Sequence, residues 1–112
     1  MAKPLFKNYN YQFDKNEKKI LVTFCKSLLK QTASDEKFYA EVRSFNAIID
    51  KLNTSSEDIK FTKDEKTKLV FNLNNNVAEL KKRASKSFFI TRWFYKSAYK
   101  QYESILQKHF TN

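Results

Sequence analysis

Glycine is absent from the sequence, and proline, cysteine, histidine and tryptophan each occur only once. Without glycine the chain cannot build the Gly-rich loops that hold phosphates in dinucleotide-binding and P-loop proteins. The absence also disfavours tight β-hairpins, whose two-residue turns prefer glycine at positive φ. Helices joined by asparagine- and serine-containing loops need no glycine, so the composition indicates an all-α fold.

Long apolar runs and paired cysteines are missing too. The first residues lack the apolar stretch of a secretory signal. The longest apolar runs fall far short of the roughly 20 residues that span a bilayer. Cys25 stands alone and cannot form an internal disulfide. These features predict a cytoplasmic protein without a transmembrane segment.

Acidic residues are few, with 12 carboxylates against 22 lysines and arginines, which gives a net charge of +10. Arginine is rare as well, at three residues against 19 lysines. The preference for lysine, asparagine and aromatic residues is typical of a low-GC genome. Codon bias explains lysine in place of arginine but not the deficit of acids, so the charge favours an anionic partner.

Residues for catalysis are scarce. Cys25 lies within an apolar helix face, where a thiol usually behaves as a small buried hydrophobe. His109 lies near the end of the last predicted helix, where the helix dipole favours its charged form. No histidines and cysteines have metal-ligand spacing. We therefore expect a protein that is not an enzyme and holds no cofactor or metal.

Hydrophobic periodicity predicts a single domain, residues 1–112, folded as an all-α, up-down-up-down four-helix bundle with an extended N-terminal arm over 1–13. The predicted helices span residues 14–32, 35–52, 63–85 and 87–110. Capping boxes at Asp14–Glu17 and Thr62–Glu65 begin the first and third helices. Four asparagines within 72–76 could break the third helix, and a continuous helix through residues 85–87 is an open alternative.

Apolar residues at three- and four-residue steps give the predicted core. Ser34 is expected to cap the second helix and Asn53 to end it. Ile59 and Phe61 are expected to pin the loop over 53–61. The core positions, helix by helix, are Leu21, Phe24, Cys25 and Leu28; Phe38, Val42, Phe45, Ile49 and Leu52; Val70, Leu73, Val77, Leu80 and Ala84; and Tyr95, Ala98, Tyr99, Tyr102, Leu106 and His109.

The C-terminal third carries most of the charge. Residues 81–112 contain eight lysines and arginines and one acid, Glu103. On a helical wheel, Phe89 and Trp93 lie away from the core stripe, on the side that carries Lys96 and Lys100. Large aromatics beside cations are typical of a partner surface. The predicted partner-binding residues are Arg83, Lys86, Phe89, Arg92, Trp93, Lys96 and Lys100.

Nucleic acid is the first partner that this pattern predicts, with cations on phosphates and Trp93 stacking on a base. A protein partner or a homo-oligomer, anchored by Phe89 and Trp93, is the alternative. Peripheral membrane contact is not expected, because the bundle needs the apolar side of the last helix. A structural alternative also stays open, in which Ile59 and Phe61 or the N-terminal arm cover Phe89 and Trp93.

Overall fold

The structure, a computed structural model, describes residues 9–32 and 34–110, so the first eight residues of the predicted arm lie outside it. Four helices dominate, which confirms the predicted all-α class, and a two-stranded sheet accompanies them. The elements are β1 (Tyr9–Tyr11), α1 (Lys15–Thr32), a 3₁₀ turn (Glu36–Phe38), α2 (Tyr39–Leu52), β2 (Ile59–Phe61), α3 (Lys63–Ser85) and α4 (Phe89–His109).

The chain divides into two compact units, and the division falls inside α3, between Lys68 and Leu69. The first unit contains the sheet, α1, α2 and the first turns of α3. The second contains the rest of α3 together with α4. The up-down-up-down order of a single bundle involves both units and stays a prediction.

Two capping boxes begin α1 and α3, as the sequence predicts. The Asp14 carboxylate accepts the backbone N–H of Glu17 at 2.7 Å, and the Glu17 carboxylate accepts that of Asp14 at 3.0 Å. Thr62 and Glu65 exchange the same two bonds at 3.1 and 2.9 Å. Both glutamates are buried, so the boxes satisfy orphan helix amides where water has little access.

Helices α1 and α2 pack against each other in the first unit. The Lys18 ammonium, near the start of α1, donates to the carbonyl oxygens of Thr54 and Ser56, just beyond the end of α2. The two helices are therefore antiparallel. The buried apolar side chains of this unit are Phe13, Leu21, Phe24, Cys25, Phe45, Ile48, Ile49, Leu52, Ile59 and Phe61.

The small sheet was not predicted. Strands β1 and β2 are antiparallel, with Tyr9 opposite Phe61 and Tyr11 opposite Ile59. The Tyr11 ring lies 5.5 Å from that of Phe13 and 5.6 Å from that of Phe61, measured between centroids. Ile59 and Phe61 are buried as expected, but they belong to a strand and not to a loop. The arm is too short to form a sheet alone and takes its backbone partners from a distant segment.

The start of the second helix differs from the prediction. Asp35, not Ser34, is the capping residue, and its carboxylate accepts the N–H of Lys37 at 3.1 Å. That bond closes a 3₁₀ turn, and the α-helix begins only at Tyr39. Asn53 does cap the end of α2, but with φ of −82° and not in the left-handed conformation that would substitute for glycine.

Helices α3 and α4 form an antiparallel hairpin. The asparagines at 72–76 do not break α3, because buried Leu73 and Val77 outweigh their mediocre helix propensity. The two helices are separate, joined by residues 86–88. The Ser87 hydroxyl donates to the Arg83 carbonyl at 2.6 Å, so it closes α3 and does not cap α4, which begins two residues later than predicted.

The buried side chains of the second unit follow the predicted stripes with two additions. Leu69 and Ile105 are almost fully buried, although neither was assigned to the core. The predicted core positions of this unit that are only half-buried are Val70, Leu80, Tyr95, Ala98, Tyr99, Tyr102 and His109, and in the first unit the same holds for Leu28, Phe38 and Val42. The buried set is Leu69, Leu73, Val77, Ala84, Ile105 and Leu106.

Candidate interaction surface on the second hairpin

The start of α4 exposes five consecutive or near-consecutive large apolar side chains. Phe88 is 88% exposed, Phe89 78%, Ile90 70%, Trp93 71% and Phe94 65%. Aromatic side chains present about 150–250 Å² each, so these five expose on the order of 600 Å² of apolar surface. This area is at the upper end of the largest apolar patch that a typical monomeric protein exposes, and such patches are often interaction sites.

Helix geometry arranges the four of these side chains that belong to α4 in two rows, and the row of Phe89 and Trp93 lies opposite the buried Ile105 and Leu106. Phe89 and Trp93 are four residues apart, and so are Ile90 and Phe94, which makes each pair neighbours on the helix surface. The first row continues three residues later into Lys96 and then, after four more, into Lys100. The surface is therefore apolar at the tip of the hairpin and basic one to two turns behind it.

We call this surface, together with Lys86 in the connection, the aromatic–basic end. Its members are Lys86, Phe88, Phe89, Ile90, Trp93, Phe94, Lys96 and Lys100.

The exposure of Phe89 and Trp93 bears on the alternative in which other segments cover them. Ile59 and Phe61 are buried within the first unit, and Tyr11 packs on Phe61 there. Phe89 and Trp93 keep more than two thirds of their surface in solvent. Both rings are therefore exposed within the described part of the chain, and their role in binding stays a prediction.

Arg92 is turned inward, toward α3. Its Nε donates to the carbonyl oxygen of Ala84 and its Nη2 to that of Ser87, both at 3.2 Å. The last carbonyls of a helix have no partner within the helix, and the forked guanidinium can reach one of them, that of Ala84, together with the carbonyl of Ser87 in the connection. Arg92 thus caps α3 and stabilises the turn that positions the aromatic side chains.

Arg83 is also engaged, since its Nε lies 3.2 Å from a carboxylate oxygen of Glu79 one turn earlier. The ammonium groups of Lys86, Lys96 and Lys100, by contrast, make no ion pair within residues 9–32 and 34–110. Of the seven predicted binding residues, the two arginines have structural partners. The three lysines and two aromatics face solvent.

Lys81 links the two helices behind this end. Its Nζ lies 2.7 Å from the Glu103 carboxylate and 5.5 Å from the centroid of the Tyr99 ring. The hydrogen bond that the Lys81 ammonium donates to the Glu103 carboxylate raises the pKa of Lys81. An open cleft of about 410 Å³ lies beside it, lined by Lys81, Ala84, Ser85, Arg92, Lys96 and Tyr99. Lys81 therefore joins α3 to α4, and the carboxylate of Glu103 balances its positive charge.

The two residues considered for catalysis, Cys25 and His109, belong to different units. Cys25 is fully buried in the first unit, and burial raises the pKa of its thiol to about 12. Such a thiol is not a nucleophile at neutral pH. His109 is half-buried in the second unit, with its ring edge-on to Phe110. Within the described residues, no three histidine, cysteine, aspartate or glutamate side chains are grouped as metal ligands.

Polar residues of the first unit form one further cluster. Asp64 accepts bonds from the Lys68 ammonium at 2.9 Å and from the Ser44 hydroxyl at 3.2 Å, and the Lys68 bond is the main cause of its lowered pKa. Lys51 pairs with the buried Glu65 nearby. These contacts join α2 to the start of α3, which gives the cluster a structural role.

Phe88, Ile90 and Phe94 are the surface residues that sequence reasoning missed. A signal for two of them existed, since Ile90 and Phe94 fall outside the core stripe on the same wheel that placed Phe89 and Trp93. Phe88 was hidden by the helix start assigned to Ser87. Because Phe88 lies in the connection, wheel geometry does not apply to it.

Comparison with known proteins yields no relative: no family model matches the chain, and no curated protein or solved structure matches it significantly. The geometry of the aromatic–basic end is therefore the basis for a functional proposal. None of the described helices is long and apolar enough to cross a membrane.

Proposed function

We propose that this chain is a non-enzymatic binding module that holds an anionic partner at the aromatic–basic end. One observation carries the proposal: exposed apolar side chains lie directly beside lysines that have no internal partner among the described residues. Large exposed aromatic side chains lower the solubility of a protein unless a bound partner covers them. Lysines without an ion-pair partner beside them attract negatively charged molecules.

Nucleic acid remains the partner class that the sequence predicts first. Trp93 and Phe89 are exposed rings on which bases can stack, and the lysines can contact phosphates. Arg83 and Arg92 have internal partners, so the contacts to phosphate fall to lysine, a point charge without the forked geometry of arginine. Such contacts support backbone binding more than recognition of particular bases.

A protein partner is favoured by a different feature, the number of exposed apolar side chains. Interface hot spots are few, large and surrounded by polar residues, which describes Trp93 and its neighbours within a rim of lysines. An acidic protein with an apolar groove would match both parts of the surface. In that case binding would depend on the aromatic residues more than on salt.

Titration of labelled single- and double-stranded oligonucleotides, followed by fluorescence anisotropy from about 50 to 200 mM salt, tests the requirement for negative charge. The test variant carries Lys86→Gln, Lys96→Gln and Lys100→Gln. Arg92 is left unchanged because its replacement would disturb the hairpin. The matched control, Lys15→Gln, Lys19→Gln and Lys26→Gln, removes the same charge from exposed positions on α1.

The expected result is salt-dependent binding that the test variant loses and the control keeps. The slope of log K against log salt should flatten by about 0.7 per lysine on single strands. Equal weakening by both variants would show only general attraction to a +10 protein and would contradict the proposal. Binding of a protein partner that depends on Trp93 and not on salt would favour the alternative.

A further inference from the structure

The five apolar side chains are more than a nucleic-acid surface needs. Base stacking uses planar rings, and Ile90 offers none. Phe88, Phe89 and Ile90 occupy the connection and the first turn of α4, so they lie at the extremity of the hairpin. Their exposed fractions of 70% or more mean that few neighbouring atoms surround them. The surface is convex and protruding.

The five apolar side chains of the aromatic–basic end, which we call the apolar tip, form a convex surface. Such a surface fits a partner that can deform around it. Protein partners usually present pre-formed pockets, whereas the interface of a lipid bilayer accepts protruding side chains. Tryptophan and other aromatic residues favour that interface because their rings are amphipathic. Ile90, which contributes nothing to stacking, gains from insertion into the acyl region.

The distribution of charge agrees with the same partner. The segment from Phe88 to Phe94 rises about 9 Å along the helix axis, so insertion of this end places all five apolar side chains within about 9 Å of its extremity. Lys96 follows directly and Lys100 one turn later, on the row that contains Phe89 and Trp93. Exposed Lys82 lies in the last turn of α3. Inserting the tip would bring these ammonium groups to the level of lipid phosphates.

We propose that the aromatic–basic end docks on an anionic lipid bilayer, with Phe88, Phe89, Ile90, Trp93 and Phe94 inserted at the interface and Lys96 and Lys100 on the headgroups. This assignment rests on the proposed function and names its anionic partner. It also changes an expectation from the sequence. The sequence argument against membrane contact is that the bundle needs the apolar stripe of α4, but these five side chains are exposed and therefore not used by the core.

Trp93 is the single tryptophan of the chain, so its fluorescence reports on this surface alone. The full chain is mixed with vesicles of phosphatidylcholine and with vesicles in which part of that lipid is replaced by phosphatidylserine. Insertion should shift the emission of Trp93 to shorter wavelength with the anionic vesicles, and brominated lipids should quench it. Co-sedimentation measures the bound fraction independently.

Two variants retain Trp93 and replace either the apolar or the basic residues near it. Phe89→Ser with Ile90→Ser should abolish the shift, and Lys96→Gln with Lys100→Gln should weaken binding to anionic vesicles about fivefold per lysine. The matched controls lie on the first unit: Tyr39→Ser removes another exposed aromatic, and Lys19→Gln with Lys26→Gln removes two exposed lysines. These controls should bind as the unmodified chain does.

Several outcomes would overturn the lipid assignment, and they separate it from the proposed function. No shift with any vesicle, while oligonucleotides bind through Lys96 and Lys100, would reject the bilayer and keep the anionic-partner function. A concentration-dependent shift without lipid would assign the apolar tip to a second copy of the chain. Equal loss of vesicle binding in the control lysine variant would reject both. Binding to neither vesicles nor oligonucleotides would also reject both.

Discussion

The guanidinium of Arg92 donates to the backbone carbonyl of Ala84 at 3.2 Å, so a residue near the start of α4 caps the end of α3. A second bond, from Nη2 to the Ser87 carbonyl, holds the connection between the two helices. Arg92, one of the two arginines predicted to bind the partner, is thus part of the scaffold. It positions the exposed aromatics around it.

Arg92→Ala should lower the free energy of unfolding by about 1–2 kcal/mol, because one hydrogen bond to the end of α3 and one to the connection are lost. Arg92→Lys should recover little of it, since one ammonium lacks the fork that reaches both carbonyls. Urea denaturation measures the difference, with Lys96→Ala as a neighbouring control expected within about 0.5 kcal/mol. An Arg92→Ala variant as stable as the unmodified chain would return this residue to the binding surface.

Glu65 completes a capping box and also forms an ion pair, so its replacement should be costly. Glu65→Ala removes the capping bond to Thr62 and the ion pair with Lys51. We expect a loss of about 1–3 kcal/mol for Glu65→Ala. A double-mutant cycle with Lys51→Ala should give a coupling of about 1 kcal/mol. Zero coupling would mean that the pair adds nothing to the cap.

The core assignments can be tested with one buried and one exposed residue in each unit. Leu73→Ala and Phe45→Ala should each cost about 2–5 kcal/mol, because both side chains are almost inaccessible and leave cavities. Phe71→Ala and Tyr39→Ala, at 64% and 69% exposure, should change stability by less than about 0.5 kcal/mol. Thermal melts compare the pairs, and equal effects within a pair would refute the assigned core.

Cys25 should make stability fall at high pH. Burial raises the pKa of its thiol from 9.0 to about 12, so the folded state keeps a proton that the unfolded state releases in that range. The contribution is complete below pH 9 and is lost as pH rises toward 12, at up to about 1.4 kcal/mol per pH unit.

Cys25→Ala provides the control for that slope. It should be less stable at neutral pH because of the cavity, but its stability should fall less steeply above pH 9. Ellman's reagent should label the thiol only after denaturant is added. Rapid labelling of the folded chain would contradict the burial of Cys25.

Local patterns in the sequence predicted much of the fold. Capping boxes at Asp14 and Thr62 begin two helices because each uses atoms only three residues apart. Helical spacing likewise placed Phe45, Leu73 and Leu106 in the core and Phe89 and Trp93 on an exposed face. These are short-range properties, and the neighbouring residues specify them.

Long-range partners were decided only by the tertiary structure. Strand β1 depends on Ile59–Phe61, a segment far along the chain that no local pattern connects to Tyr9–Tyr11. The wheel put Arg92 among the cations, but only the folded hairpin brings it to the carbonyls of Ala84 and Ser87. The extent of the apolar tip also needed the structure, because exposure depends on which segments fail to cover a side chain. The sequence determines the hydrogen-bonding groups and the apolar surface that each residue carries. Tertiary packing determines which of these groups gain a partner and which stay exposed.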